Sequence, residues 1–156
     1  MTPSQRATIS TALALDFGLR RIGIATAAPV AGTASALTTI GARGGVPDWE
    51  ALDALVQEWR PEALVLGLPC NSDGSESDMT KHVRDFRQTL IERYKLPVHL
   101  MDERYTSAEA ESLLKAQRRS GQRTRKLQKN DVDSLAAAII AASWMGTHEQ
   151  KHTKDQ

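Results

Sequence analysis

The chain has 156 residues, with 20 Lys and Arg against 19 Asp and Glu for a net charge of +1, and this length suits one domain with one sizeable core rather than two. A single cysteine, Cys70, excludes an internal disulfide framework and a cysteine zinc cluster, and two Phe, two Tyr and three Trp leave the core mainly to aliphatic side chains. The first ten residues lack the apolar segment of a signal peptide and no later run nears the ~20 apolar residues of a membrane span, so a cytoplasmic protein without membrane contact is expected.

In TALALDFG, Leu13, Leu15 and Phe17 alternate with Ala12, Ala14 and Asp16, which predicts a central strand, apolar on both faces, that stops at the acid. Gly18 to Arg21 can turn the chain, GIATAA returns as a second strand and Ala34 to Ile40 supplies a third, giving an antiparallel meander. PDWEALDALVQEWRP sets Trp49, Leu52, Leu55, Val56 and Trp59 at helical spacing between two prolines, and EALVLGLP reads as a strand buried on both faces. After the polar loop CNSDGSES, the spacing of Met79, Val83, Phe86, Leu90 and Tyr94 predicts an amphipathic helix capped by Ser75 or Ser77. PVHLMDE is the next strand, and Thr106 with Glu109 forms a capping box for a helix carrying Ala110, Leu113 and Leu114. The last helix starts near Asn130 with Val132, Leu135, Ala136, Ile139 and Ile140 as its core stripe, and THEQKHTKDQ is a polar tail. Strands first, then alternating helices and strands, imply one α/β domain with a mixed sheet over residues 11–146, with 1–10 and 147–156 as flexible tails.

Carboxylates at the ends of buried elements are costly unless paired or bound to a cation. Asp16 ends the first strand, Asp102 and Glu103 end the last, and Asp131 and Asp133 open the last helix. Strand C-termini and helix N-termini line one crevice in α/β folds, so these distant acids can converge. At 100° per residue Asp131 and Asp133 point about 200° apart; Asp133 lies close in angle to Ala137 and Ile140 and looks inward, while Asp131 suits a solvent-facing cap. The strand's period of two separates Asp102 from Glu103 without saying which of them faces the crevice. Converging oxygen ligands without His or Cys favour Mg²⁺ or Mn²⁺, and two such ions ~3.5–4 Å apart suit phosphodiester hydrolysis. The plainer alternatives are a turn cap or a salt bridge to Arg20 or Arg21 for Asp16, a surface pair with Arg104 for Asp102 or Glu103, and helix-dipole compensation for Asp131 or Asp133. His82, His99 and Cys70 read as structural or solvated.

From Ser112 to Asn130 there is no acid, while Lys115, Arg118, Arg119, Arg123, Arg125, Lys126 and Lys129 all fall within that stretch. Without interleaved aromatics it is either a solvated loop or a sequence-tolerant grip on the phosphate backbone of nucleic acid.

Taken in order, ALDFGLRRIGIA, VLGLPCNSDGS, DERYTSAEA and VDSLAAAIIA resemble the YqgF family, bacterial nucleases of the RNase H-like fold, across residues 13–142. The first block alone also resembles the phosphate loop of actin-like ATPases, but that architecture needs two such domains. The YqgF resemblance implies a mixed five-stranded sheet with an antiparallel three-strand meander and helices on both faces. It also implies a catalytic, metal-binding set of Asp16, Glu103 and Asp133, and it is the resemblance that selects Glu103 over Asp102. Ser107 stands where the family usually has threonine, which keeps the hydroxyl. The implied activity is metal-dependent phosphodiester hydrolysis in 5′-end processing of pre-16S ribosomal RNA. A Holliday-junction resolvase acting on branched DNA, or a non-catalytic RNA- or ribosome-binding module, are the alternatives; a monomer or a homodimer is compatible with the first.

Overall fold

The computed structural model describes residues 9–69, 73, 75–102 and 129–154, and within the last helix the side chains of 132–146. Four strands come first, β1 (Ala12–Asp16), β2 (Arg21–Ala28), β3 (Thr33–Arg43) and β4 (Val46–Pro47). They are followed by α1 (Trp49–Trp59), β5 (Ala63–Leu68), α2 (Asp78–Tyr94), β6 (Val98–Asp102) and α3 (Lys129–Lys154). The sheet order is β4-β3-β2-β1-β5-β6. β1, β5 and β6 run parallel and the meander β1 to β4 antiparallel, as the alternation of strand-rich and helix-rich segments predicts.

The sheet has six strands where five were expected. Gly44 and Gly45 take positive φ of 57° and 87°, the geometry of a two-residue hairpin, and so pair Arg43 with Val46. The third strand accordingly runs on to Arg43 instead of stopping at Ile40. The hairpin is tied back to the β1–β2 turn: Ala42 N–H donates to Arg20 O at 2.8 Å and Gly45 N–H to Leu19 O at 3.1 Å.

The two faces of the sheet differ in side-chain size, and that difference sets the layers. Leu13, Leu15, Ile22, Ile24, Leu64, Leu66 and Val98 pack against Leu52 of α1 and Val83, Phe86 and Leu90 of α2. On the other face Ala12, Ala14, Ala25, Ala27, Ala34 and Ala63 meet Ala137, Ala138, Ala141, Ile140 and Trp144 of α3. Burial of ~25 cal/mol per Å² of apolar surface drives both, but small residues on both sides let α3 approach closely. The stripe expected on α3 is therefore rotated. Val132 is 54% exposed, Leu135 and Ile139 are half-buried, and Ser134, Ala137, Ala138 and Ala141 are buried. The helix also continues to Lys154, through the segment expected to be a tail. Among the described residues no helix is long and apolar enough to cross a membrane.

Local chemistry ends the helices where the sequence suggests. Asp48 caps α1 by accepting from Ala51 N–H at 3.2 Å. Ser77, one of the two candidates, caps α2 in a reciprocal box with Thr80, whose buried hydroxyl donates to Pro69 O and pins the helix start to the end of β5. Arg93 then braces α2 to α1. Its Nε and Nη2 donate to Asp53 at 2.8 and 2.6 Å, Tyr94 Oη donates to the same carboxylate at 2.6 Å, and the guanidinium lies 4.4 Å from the Trp49 ring centre. Hydrogen bonds from Arg93 and then Tyr94 lower the Asp53 pKa from the usual 3.8 to about 2, while burial, followed by the bond to Asp53, raises Tyr94 well above its usual range.

Candidate active site at the ends of β1 and α3

Asp16 is the last residue of β1 and shares the parity of Ala12 and Ala14, so it lies on the α3 face of the sheet. Its cross-strand partner is Gly23 of β2. A Cβ on Gly23 would stand 2.0 Å from the main-chain oxygen of Asp133 and 2.4 Å from its carbonyl carbon. The second turn of α3 therefore rests directly on Gly23, in space that any other residue would fill. Cross-strand Cβ positions are ~5 Å apart, so the backbones of Asp16 and Asp133 meet within about one residue's width on the same face. Asp16 and Asp133, 117 positions apart in the sequence, thus lie close along the backbone on one face of the sheet. Thr39 of β3 pairs with Gly23 from its other side and extends the same row.

The Asp133 carboxylate accepts from Arg21 Nε at 2.7 Å. The sequence offered Arg20 and Arg21 as partners of Asp16; here Arg21, two residues before Gly23 on the same strand face, engages Asp133. Neither Gly23 nor the Arg21–Asp133 pair was anticipated. The signal for Gly23 was the hairpin itself, since a turn centred between Leu19 and Arg20 must set Asp16 opposite Gly23.

Asp102, which the resemblance sets aside in favour of Glu103, ends β6. It pairs in register with Leu68, whose side chain belongs to the α1–α2 core, and it shares the parity of Val98 and Leu100. His99 and Met101, of the other parity, face α3, with His99 stacked on Trp144 at 5.8 Å between ring centres. Asp102 therefore sits on the face opposite Asp16 and Asp133. Glu103, Thr106, Ser107, Cys70, Lys115, Arg118, Arg119, Arg123, Arg125 and Lys126 lie outside the described residues, as do the side chains of Lys129 and Asp131.

Among the described residues no three His, Cys, Asp or Glu side chains gather at one point. The site nonetheless fits a divalent cation in two respects. Its donors are hard carboxylate oxygens, and a guanidinium already stands against one of them, marking the place as one where positive charge is stabilised.

The family model RuvX, described as Holliday junction resolvase, matches residues 10–147. The chain belongs to the RuvX family. This RuvX chain is 44% identical over 140 residues to a protein of Hahella chejuensis named "Putative pre-16S rRNA nuclease", covering 90% of this chain and 86% of that one. It is 43% identical over 134 residues to a protein of the same name from Azotobacter vinelandii, covering 85% and 91%. Among solved structures it resembles Thermus thermophilus RuvC in complex with a Holliday junction substrate, with TM-score 0.55 at 16% identity over 88% of this chain and 95% of that one. The yeast mitochondrial Holliday junction resolvase Ydc2 matches with TM-score 0.54 at 14% identity over 92% and 81%. At these identities the two structures establish the shared fold of the RuvX chain, an RNase H-like mixed sheet with helices on both faces.

Proposed function

We propose that this RuvX-family protein is a nuclease that hydrolyses phosphodiester bonds with the help of Mg²⁺ or Mn²⁺, and that its substrate is the 5′ end of pre-16S ribosomal RNA. The observation that carries the reading is the meeting of Asp16 and Asp133 on one sheet face across Gly23. The names of its relatives support the RNA substrate, and such a substrate goes with the cytoplasm. The family match over 10–147 supports a single nuclease domain at residues 11–146.

In this reading Asp16, Asp133 and Glu103 hold the cation, and the parity of Asp102 supports Glu103 as the third ligand. The bound cation supplies neutralisation of charge on the phosphate and a water of lowered pKa. The carboxylates fix the position of that chemistry, because Asp16 is anchored in the central strand and Asp133 in the helix resting on Gly23. Hydrolysis adds the water oxygen to phosphorus and breaks the bond to the 3′ oxygen, which leaves with a proton, so the products carry 5′-phosphate and 3′-hydroxyl ends. Arg118, Arg119, Arg123, Arg125, Lys126 and Lys129 provide contacts to the phosphate backbone in this reading.

The RuvX description favours a second reading, resolution of branched DNA, which requires a homodimer presenting two sites to opposite strands. The deciding experiment incubates the purified chain and Asp16→Asn with pre-16S RNA and with a four-way DNA junction, each with Mg²⁺, Mn²⁺ or chelator, alongside a measurement of mass in solution. Metal-dependent RNA cleavage that falls about a hundredfold or more in Asp16→Asn supports the proposal. Junction cleavage by a dimer supports the second reading. Nucleic-acid binding without cleavage of either substrate in any metal overturns both in favour of a non-catalytic binding module.

A further inference from the structure

The Arg21–Asp133 pair differs from the other arginine pair described above. Arg93 grips Asp53 with two nitrogens and is backed by Tyr94 and Trp49. Arg21 offers Asp133 its Nε alone, at 2.7 Å, and the two side chains are 42% and 26% exposed. Among the described residues no further hydrogen bond of the Arg21 guanidinium is found. A guanidinium is a planar fork suited to two-point contact with carboxylate or phosphate, and here one edge is used.

The exposure and single nitrogen of this contact make it easily displaced. Asp16 and Asp133 approach on one face, and in the nuclease reading a divalent ion there takes the Asp133 carboxylate in competition with Arg21. An exposed single-contact pair holds by no more than about fivefold in equilibrium terms, which a divalent ion on the same carboxylate readily overcomes. Once released, the guanidinium remains on the α3 face of β2, beside the place where a phosphate held by that ion must lie.

We propose that Arg21 is a positioning residue with two successive partners: it holds the Asp133 carboxylate while the protein is free of divalent cation, and passes to a phosphate oxygen of the nucleic acid once that carboxylate has a cation to bind. The inference rests on the metal-dependent nuclease reading and assigns a role to a residue outside the carboxylate set.

The test uses the full chain with Arg21→Gln and Arg21→Lys, and its readouts do not depend on turnover. In calorimetric titration with Mn²⁺ alone, Arg21→Gln is expected to bind about fivefold more tightly than wild type, because a competitor for Asp133 is gone, and Arg21→Lys within about twofold. Affinity for a labelled duplex is then measured against salt concentration, once in chelator and once in Ca²⁺ as a non-turnover cation. The slope for Arg21→Gln is expected to match wild type in chelator, where Arg21 is engaged with Asp133, and to be shallower by about 0.9 in Ca²⁺, where it contacts a phosphate. Mn²⁺ affinity that is unchanged or weakened in Arg21→Gln, or a slope change of the same size in both conditions, overturns the exchange and leaves a purely structural tie. A wild-type chain that binds no Mn²⁺ overturns the nuclease reading as well, so the two failures are distinguishable. Matching melting curves for Arg21→Lys and wild type confirm that the comparison is made on folded protein.

Discussion

Replacing Gly23 by alanine adds one methyl group at the point where the helix bearing Asp133 touches the sheet. That carbon would lie 2.0 Å from the Asp133 carbonyl oxygen, 2.4 Å from its carbonyl carbon and 3.0 Å from the Ser134 nitrogen. All three are main-chain atoms, so no side-chain rotation relieves the overlap and this part of α3 must lift by roughly 1.5 Å to restore ordinary contact. Overpacking of this kind costs about 1–3 kcal/mol, or ~2–4 °C of melting temperature per kcal/mol in a chain of this size. A displacement of ~1 Å at a catalytic group can lower the rate about a hundredfold. Gly23→Ala is therefore expected to melt several degrees lower, to bind Mn²⁺ more weakly and to lose most cleavage while keeping the far-ultraviolet dichroism of the folded protein. Thermal melting, Mn²⁺ titration and single-turnover cleavage of pre-16S RNA measure the three effects. A Gly23→Ala protein with wild-type melting temperature and undiminished metal-dependent cleavage would refute the claim that α3 is seated on this glycine.

Three further outcomes are expected. Gly45→Ala places a methyl group 3.0 Å from Phe17 Cζ at a residue with φ of 87°, and is expected to lower unfolding free energy in denaturant titration by about 1–2 kcal/mol. Asp53 has a depressed pKa in the folded chain, so its contribution is fully present above the usual 3.8 and is lost as pH falls toward about 2. Because the pair is exposed the contribution is at most about 1 kcal/mol, and melting from pH 5 to pH 2 is expected to show a shallower acid loss in Asp53→Asn than in wild type. Replacing Arg123, Arg125 and Lys126 together is expected to weaken binding to all duplex sequences alike and to reduce the salt slope by up to ~0.9 per lost phosphate contact; an unchanged slope would make the basic stretch a bystander.

How much of this could be seen in the chain beforehand follows from what each residue type reveals. Asp16 was visible because a charge at the end of an apolar strand has few innocent explanations, and Asp133 because helical angle separates it from Asp131. The choice between Asp102 and Glu103 was not visible, since it depends on the parity at the strand's end, which only the pairing of Asp102 with Leu68 supplies for Asp102. β4 was missed although its signal, two adjacent glycines between Arg43 and Val46, was present; two residues make too short a strand to show alternation. The face of α3 was misjudged for a different reason. Alanine and serine are ambiguous in any apolarity pattern, and the bulky Val132 and Leu135 drew the stripe toward themselves, whereas the alanine-lined sheet selects small residues. The role of Arg21 could not be chosen from sequence, because two neighbouring arginines and several acids allow many pairings and only the fold discriminates among them.

The alanine seam between α3 and the sheet makes the helix a lever as well as a wall. Ala137, Ala138 and Ala141 lie one and two turns beyond Asp133 and are wholly enclosed, so a bulkier residue at any of them has nowhere to go except to tilt the rod. A tilt displaces the turn just before the seam, which carries the Asp133 carboxylate. In the proposed nuclease the alignment of Asp133 is consequently hostage to side-chain volume deep in the interior, and variants that never touch nucleic acid are expected to lower cleavage while leaving its charged groups intact.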